Sequence, residues 1–390
     1  MRRYVRKLTE ALLKGDLMLL LLCVVTNIFG CLIIASTTNA SALGPTRYLL
    51  VQIGAALAGI FIYVLFSSFD AEFFSEHRNW LIAFNVLCLL MLVPFGTDNG
   101  TGNRSWLNFP FLPFDIQPAE VCKITFVLVM ASVMASRQNN ISSPRSVGLI
   151  ALNALLVVGL NLLVSRDMGV SLIFVFITIG MVWAGGVSFV WFIGVAALIV
   201  VGAPVMWEFI LSDYQKNRIL VLINPSLDPN GTGAMYHTIR ALRSLTGGGL
   251  TGQGLFHGNR TQTQGALFAQ HTDFIFAAIG EELGFIGCAL VLALLALIII
   301  RCVWVGNRST DYFRKLICYG TAAALIFQVI VNIGMCLGIM PVIGLTLPFV
   351  SYGGSSLITL YAMLGFVSGV YARPNATSHE RYIRPPIRHY

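Results

Sequence analysis

At 390 residues the chain has the length of two or three soluble domains, yet 56% hydrophobic against only 11% charged residues leaves too little polar surface to cover them. A mean hydropathy of +0.79 carried by long apolar runs predicts instead an all-α polytopic membrane protein, a single unit over residues 1–390. The formal charge of +8, from 25 Lys and Arg against 17 Asp and Glu, then reads as cytoplasmic loops facing anionic lipid and excludes a nucleic-acid surface.

In chain order, residues 1–15 carry Arg2, Arg3, Arg6, Lys7 and Lys14 ahead of an apolar run that is long for a cleavable signal, so a retained anchor is expected. About ten transmembrane helices follow, near 17–36, 48–69, 80–95, 119–135, 147–164, 168–183, 187–211, 274–303, 316–340 and 353–372, the third and sixth being short. Between the third and fourth, residues 96–118 are polar and then aromatic, as in NGTGNRSWLNFPFLPFD. Between spans 7 and 8 lies a large extracytoplasmic loop, 212–272, punctuated by NPSLDPNG, TGGGLTGQG and HGN. It mixes Tyr214, Tyr236, Phe256 and Phe268 with turn residues, a composition that predicts packing against the mouth of the bundle. The tail is 373–390.

Lys and Arg set the orientation. With the N-terminus inside, the inner segments hold 16 of them, and the short outer segments hold only Arg47, Arg104 and Arg166. Both termini are therefore expected in the cytoplasm. The eight cysteines fall in or at the ends of apolar stretches without a Cys-x-x-Cys pair, so they read as small buried hydrophobes and not as a disulfide or zinc framework.

Ionisable groups in membrane segments are costly and default to functional candidates. Here they are Glu120 with Lys123, Asp167, Asp273, and Glu281 with Glu282. Glu120 and Lys123 stand one turn apart on one helix face, either a structural ion pair or part of a polar cavity. Asp273 lies in HTDFIFAAIGEELGFIG, where the long outer loop enters the eighth span; it can cap that helix or act in a site. Continuous helix places Glu281 roughly 12 Å further in. Arg104, Arg218, Arg240, Arg243 and Lys216 are expected to form a cationic shell for a diphosphate, with Asp273 facing it as a proton acceptor and ionised by their charge. His271 reads as a hydrogen-bonding neighbour. Finally, NIGMCLGIMPVIGLTLPFVSYGGSSL breaks any continuous helix with Pro341 and Pro348 and gathers Ser351, Tyr352, Ser355 and Ser356, as a cavity lining does.

On these residues the chain resembles the RodA/FtsW/SpoVE family, the SEDS proteins of bacterial shape, elongation, division and sporulation. The resemblance spans nearly the whole chain and rests on HTDFIFAAIGEELGFIG and LPFVSYGGSS, supported by QPAEVCK, YQKNRI and GGLTGQG; NIGMCLGIMP and the short tail lean towards the RodA branch. The chain departs from the family's pattern at Arg104-Ser105-Trp106, at Ser165-Arg166-Asp167-Met168-Gly169, and at Phe268-Ala269-Gln270. The resemblance implies a peptidoglycan glycosyltransferase that polymerises lipid II at the outer face of the bacterial cytoplasmic membrane and releases undecaprenyl diphosphate. It implies Asp273 as the catalytic carboxylate. Lys123, Glu120, Arg218, Arg104, Arg240, Arg243, Ser351, Tyr352 and Ser355 are expected around the substrate and its diphosphate. A divalent cation (Mg or Mn) bridging the diphosphate is reasonable chemistry that no ligand set in the sequence demands. The implied partners are a class B penicillin-binding protein transpeptidase and other elongation or division complex proteins. A lipid II flippase and a non-catalytic scaffold for the transpeptidase are the alternatives.

Overall fold

In the computed structural model each long apolar run is helical, because a backbone in hydrocarbon must satisfy its own hydrogen bonds. The structure describes residues 14–39, 44–97, 103–110, 112, 114–210, 213–228, 233 and 235–373. The basic segment 1–13 and the tail beyond 373 lie outside them.

The helices used below are α1 (Leu17–Thr37), α2 (Gly44–Ser68), α3 (Arg78–Leu90), α4 (Pro118–Ala135), α5 (Pro144–Val164), α6 (Met168–Ala184), α7 (Phe189–Val205), α8 (Asp213–Ile223), α9 (Tyr236–Gly247), α10 (Ile275–Arg308), α11 (Tyr312–Cys336) and α12 (Gly354–Ala372). Among the described residues nine helices are long and apolar enough to cross a membrane, and α6, at 17 residues, is a shorter apolar helix. Several boundaries differ from the sequence expectation for identifiable reasons. The third span pauses at Met91 and resumes as Leu92–Phe95. The seventh contains Pro204 and passes into a π-helical turn at Met206–Ile210, where the missing amide loosens the ladder. The ninth stops at Cys336, four residues early, because Gly338 takes a positive φ of 70° and Pro341 follows. The loop 212–272 is not irregular throughout, since α8 and α9 form within it.

Starts are capped as their residue types dictate: the Asp16 carboxylate accepts from the Leu19 amide, Asp167 from Val170, Ser143 from Ser146 and Asp311 from Arg314. α4, α11 and α12 form the packed interior, while α7 buries none of its apolar window and presents it outward. Charges at the end of the bundle where α1 begins are paired, as buried charges must be. Arg301 Nε contacts Asp16 Oδ2 at 2.7 Å, and the fully buried Arg314 holds Asp70 at 3.0 Å and Glu72 at 3.4 Å. All eight cysteines are free thiols.

The feature that shapes the opposite end is a break in α10. Gly284 leaves the helix with φ 64° and ψ −160°. The interrupted groups are satisfied by the glycine-rich segment after α9. Gln253 and Gly254 donate to the carbonyls of Glu281 and Glu282 at 2.9 Å each, and the amides of Phe285 and Ile286 donate to Gly249 and Leu250 at 2.9 and 3.2 Å. At Gly252, with φ +81°, a Cβ would overlap the Glu282 carbonyl, so the approach requires glycine. GGLTGQG and GEELGFIG are thus two halves of one structure.

Candidate active site

Asp273 sits between the outer loop and α10, and the sequence left its role open between cap and reacting group. The structure places Phe274, not Asp273, at the N-cap of α10, without a side-chain cap bond. The peptide at Asp273 is instead held from its carbonyl side: Asn332 Nδ2 donates to Asp273 O at 2.9 Å and to Leu345 O at 2.6 Å. That one amide ties α11, the start of α10 and the Pro/Gly segment 341–353 together. The half-buried Asp273 carboxylate has no hydrogen-bond or ion-pair partner among the described residues, and Gly344 borders its Oδ2.

Its acidity is set by desolvation. Burial pushes the Asp273 carboxyl up to about 6, and the nearby Asp167 charge adds to the rise. This corrects the electrostatic expectation. A pKa about one unit below neutrality still leaves the group about nine-tenths ionised at pH 7, but no cation among the described residues pairs with it. A carboxylate with this poise takes up a proton readily at physiological pH.

Asp167 is the neighbouring carboxylate. It caps α6, accepts from Gln117 Nε2 at 3.0 Å, and its own carbonyl accepts from Asn161. Burial raises its pKa, with the Glu120 charge contributing. Glu120 in turn meets Lys123 on the first turns of α4, Nζ to Oε2 at 2.7 Å, with the lysine fully buried and the glutamate nearly so. Three helix starts are thus linked in sequence: Lys123 pairs with Glu120, the Glu120 charge acts on Asp167, and the Asp167 charge acts on Asp273.

The expected cations are more dispersed. Arg218 Nη1 donates to Val342 O, which places it on the strip that leads to Gly344. Arg240 bonds to the carbonyls of Gly265 and Ala266 and lies over the Tyr236 ring at 4.1 Å. Arg104 and Arg243 are exposed. Ser351 is buried: its hydroxyl donates to Thr272 O at 2.6 Å and accepts from Leu347 N at 2.8 Å. Tyr352 donates its amide to His271 O at 2.8 Å, and Ser355 is buried in the first turn of α12. VSYGG therefore braces the backbone on which Asp273 is mounted.

Glu281 and Glu282 follow Asp273 along the unbroken first stretch of α10, just ahead of its break at Gly284. Glu282 Oε1 accepts from Ser36 in the last turn of α1 at 2.7 Å, from Thr261 at 2.6 Å and from Gln262 at 3.2 Å. Glu281 accepts from the Arg260 amide. They anchor the outer loop. Gln117 and Asn332 were overlooked as site residues, although both stand in sequence motifs that break helices; Tyr48, whose ring lies 5.0 Å from His271 and 5.1 Å from Tyr352, opens an ordinary apolar run that gave no signal. No group of three or more His, Cys, Asp or Glu among the described residues is placed to hold a metal ion, so the residues present do not form a protein-ligated cation site.

The chain is similar to known proteins over most of its length. The family described as FtsW/RodA/SpoVE cell cycle protein matches residues 16–375. The chain is 35% identical over 325 residues to the peptidoglycan glycosyltransferase MrdB of Escherichia coli (strain K12), covering 82% of this chain and 84% of that one. It is 35% identical over 299 residues to the probable peptidoglycan glycosyltransferase FtsW of Haemophilus influenzae, covering 75% and 74%. Among solved structures, the Rod shape determining protein RodA of Thermus thermophilus superimposes with a TM-score of 0.66 at 27% identity, covering 92% of this chain and 97% of that one. A chain from a study of polymerization and crosslinking by a peptidoglycan synthase complex reaches 0.76 at 29% identity, covering 92% and 97%.

Proposed function

The chain belongs to the FtsW/RodA/SpoVE family, and from that membership we propose that it polymerises lipid II into glycan strands at the outer face of the cytoplasmic membrane. It is a multi-pass membrane protein and a peptidoglycan glycosyltransferase, as its curated relatives are named. The observation that carries the mechanistic reading is the unpartnered, half-buried Asp273 carboxylate with a pKa of about 6. In the step we assign to it, Asp273 takes the proton of the acceptor sugar hydroxyl. The resulting oxygen forms a bond to the anomeric carbon of the donor, and the donor's bond to undecaprenyl diphosphate breaks, the diphosphate leaving with the electron pair. Arg218, on the strip beside Gly344, is the cation best placed to meet that leaving group. Glu120, held by Lys123, acts on Asp167 and through it on the setting of Asp273. No step is routed through a divalent cation; the diphosphate can carry one as its counter-ion.

The orientation we propose puts both termini in the cytoplasm, with the outer loop and Asp273 outside. An impermeant thiol reagent should reach a cysteine introduced at the exposed Thr246 and spare one at Asn307. We further propose a class B penicillin-binding protein as partner, a reading supported by the likeness to a peptidoglycan synthase complex. The deciding experiment is polymerisation of lipid II by purified protein, with and without that transpeptidase. Glycan chains that lengthen sharply with the partner support the reading. Transfer of lipid II across vesicles without any polymer, unaffected by Asp273→Asn, would establish a flippase instead.

A further inference from the structure

Three rings from three distant stretches meet at His271, two residues before Asp273 in the chain. Tyr48 comes from the start of α2, His271 from the end of the outer loop and Tyr352 from the segment before α12. Their centroids lie 5.0, 5.1 and 5.8 Å apart, with tilted or edge-on planes. All three are half-buried. Neither phenol hydroxyl nor either imidazole nitrogen has a hydrogen-bond partner among the described residues, and none of these atoms is sealed from solvent. Here the ring bodies are packed and the tips are left open.

The group is fixed to the reacting segment. The Tyr352 amide donates to His271 O at 2.8 Å, and the Ser351 hydroxyl donates to Thr272 O at 2.6 Å, so two consecutive bonds lock the rings to the residues that immediately precede Asp273. Burial lowers the His271 pKa, which keeps the imidazole neutral and able to donate or accept.

A corner of ring faces and edges with open donor and acceptor tips matches one class of ligand. A pyranose has an apolar C–H face for the rings and hydroxyl or amide edges for the tips. A bare phosphate has no apolar face, and an acyl tail has no use for the tips. We propose that Tyr48, His271 and Tyr352 form the subsite for the acceptor saccharide, the amino sugar whose hydroxyl gives its proton to Asp273. The assignment to acceptor follows from the attachment: His271 stands two residues before Asp273 in the chain, and Ser351 and Tyr352 bond to the carbonyls of Thr272 and His271, so the corner belongs to the segment that carries the proton acceptor. This inference rests on the glycan-polymerase reading.

The test uses the full chain in lipid nanodiscs and two substrates. A lipid-linked disaccharide with its acceptor hydroxyl blocked can only donate; one with a non-cleavable lipid linkage can only accept. Tyr48→Phe and Tyr352→Phe keep the ring packing and remove one hydroxyl each. Each should raise KM for the accept-only substrate about fivefold, the loss of one neutral hydrogen bond. KM for the donate-only substrate and kcat should stay within twofold. Tyr48→Leu should raise the acceptor KM further, by tenfold or more. Equilibrium binding of the accept-only lipid, measured against the same lipid without its sugars, should weaken in parallel and requires no turnover. If the native protein binds that lipid, the Phe variants weaken it and no polymer forms, saccharide binding at the three rings stands and the polymerase reading, with the acceptor role, fails. Unchanged acceptor KM and binding in all three variants, or a rise confined to the donor, overturns the subsite.

Discussion

Asp273 holds its proton more tightly in the folded protein than in an unfolded chain, and this has a consequence for stability. Its carboxyl is raised from 3.8 to about 6, mainly by burial. A group raised in this way contributes stability that is fully present below about pH 4 and is lost as pH rises through about 6. At one pKa unit per about 1.4 kcal/mol, the shift amounts to at most about 3 kcal/mol of destabilisation at pH 7. Asp273→Asn cannot ionise and forms no cap in either version, so the variant should be more stable than the native protein at pH 7, its unfolding temperature higher by a few degrees. At pH 4 the two should unfold together. Thermal unfolding in nanodiscs, followed by intrinsic fluorescence at both pH values, measures the difference of differences. A variant less stable than the native protein at pH 7 would show that the carboxylate is a structural tie, and the electrostatic reasoning would fall with it.

The same poise governs turnover: kcat/KM should fall to half its plateau near pH 6 and to about a tenth near pH 5, and Asp167→Asn, which keeps the α6 cap while removing the neighbouring charge, should move that limb to lower pH. A limb unmoved by Asp167→Asn breaks the proposed coupling. In the buried pair of α4, Lys123→Met or Glu120→Gln alone strands one charge and should cost about 3–5 kcal/mol, with the double variant recovering much of it; equal and additive losses in unfolding midpoints contradict the pairing. Gly252→Ala drives a methyl group into the Glu282 carbonyl at a positive φ, and should destabilise the docked loop by 2 kcal/mol or more, on the order of a strained backbone position. Protease nicking between Gly247 and Gly265 reads this directly, and a variant as resistant as the native protein shows the loop is not locked there.

The membrane helices were legible because their signal is collective: twenty apolar residues in a row admit few alternatives. Boundaries were missed where a local rule intervened, as at Pro204 and Gly338. Asp273 was legible from its setting, a carboxylate where a long loop meets an apolar run. Its environment was not, since clustered arginines in a loop sequence say nothing of where their side chains end; Arg240 turned to Tyr236 and two carbonyls. The role of Glu281 and Glu282 in anchoring the outer loop was not legible, since it depends on the break just beyond them at Gly284, which is made good by residues about thirty positions earlier. Such pairing depends on tertiary contact. Tyr48 is the clearest case, an aromatic at a helix start whose partners, His271 and Tyr352, stand far along the chain in two separate stretches.

The account stands most directly on Asp273 as the proton acceptor. Purified Asp273→Asn protein, incubated with lipid II and its transpeptidase partner at pH 7.5, should insert, fold and bind the partner as the native chain does. It should extend glycan strands slower by about 10²–10⁴, the usual loss for a general base. Glycan chains of near-native length and rate from a well-folded Asp273→Asn protein would contradict the account.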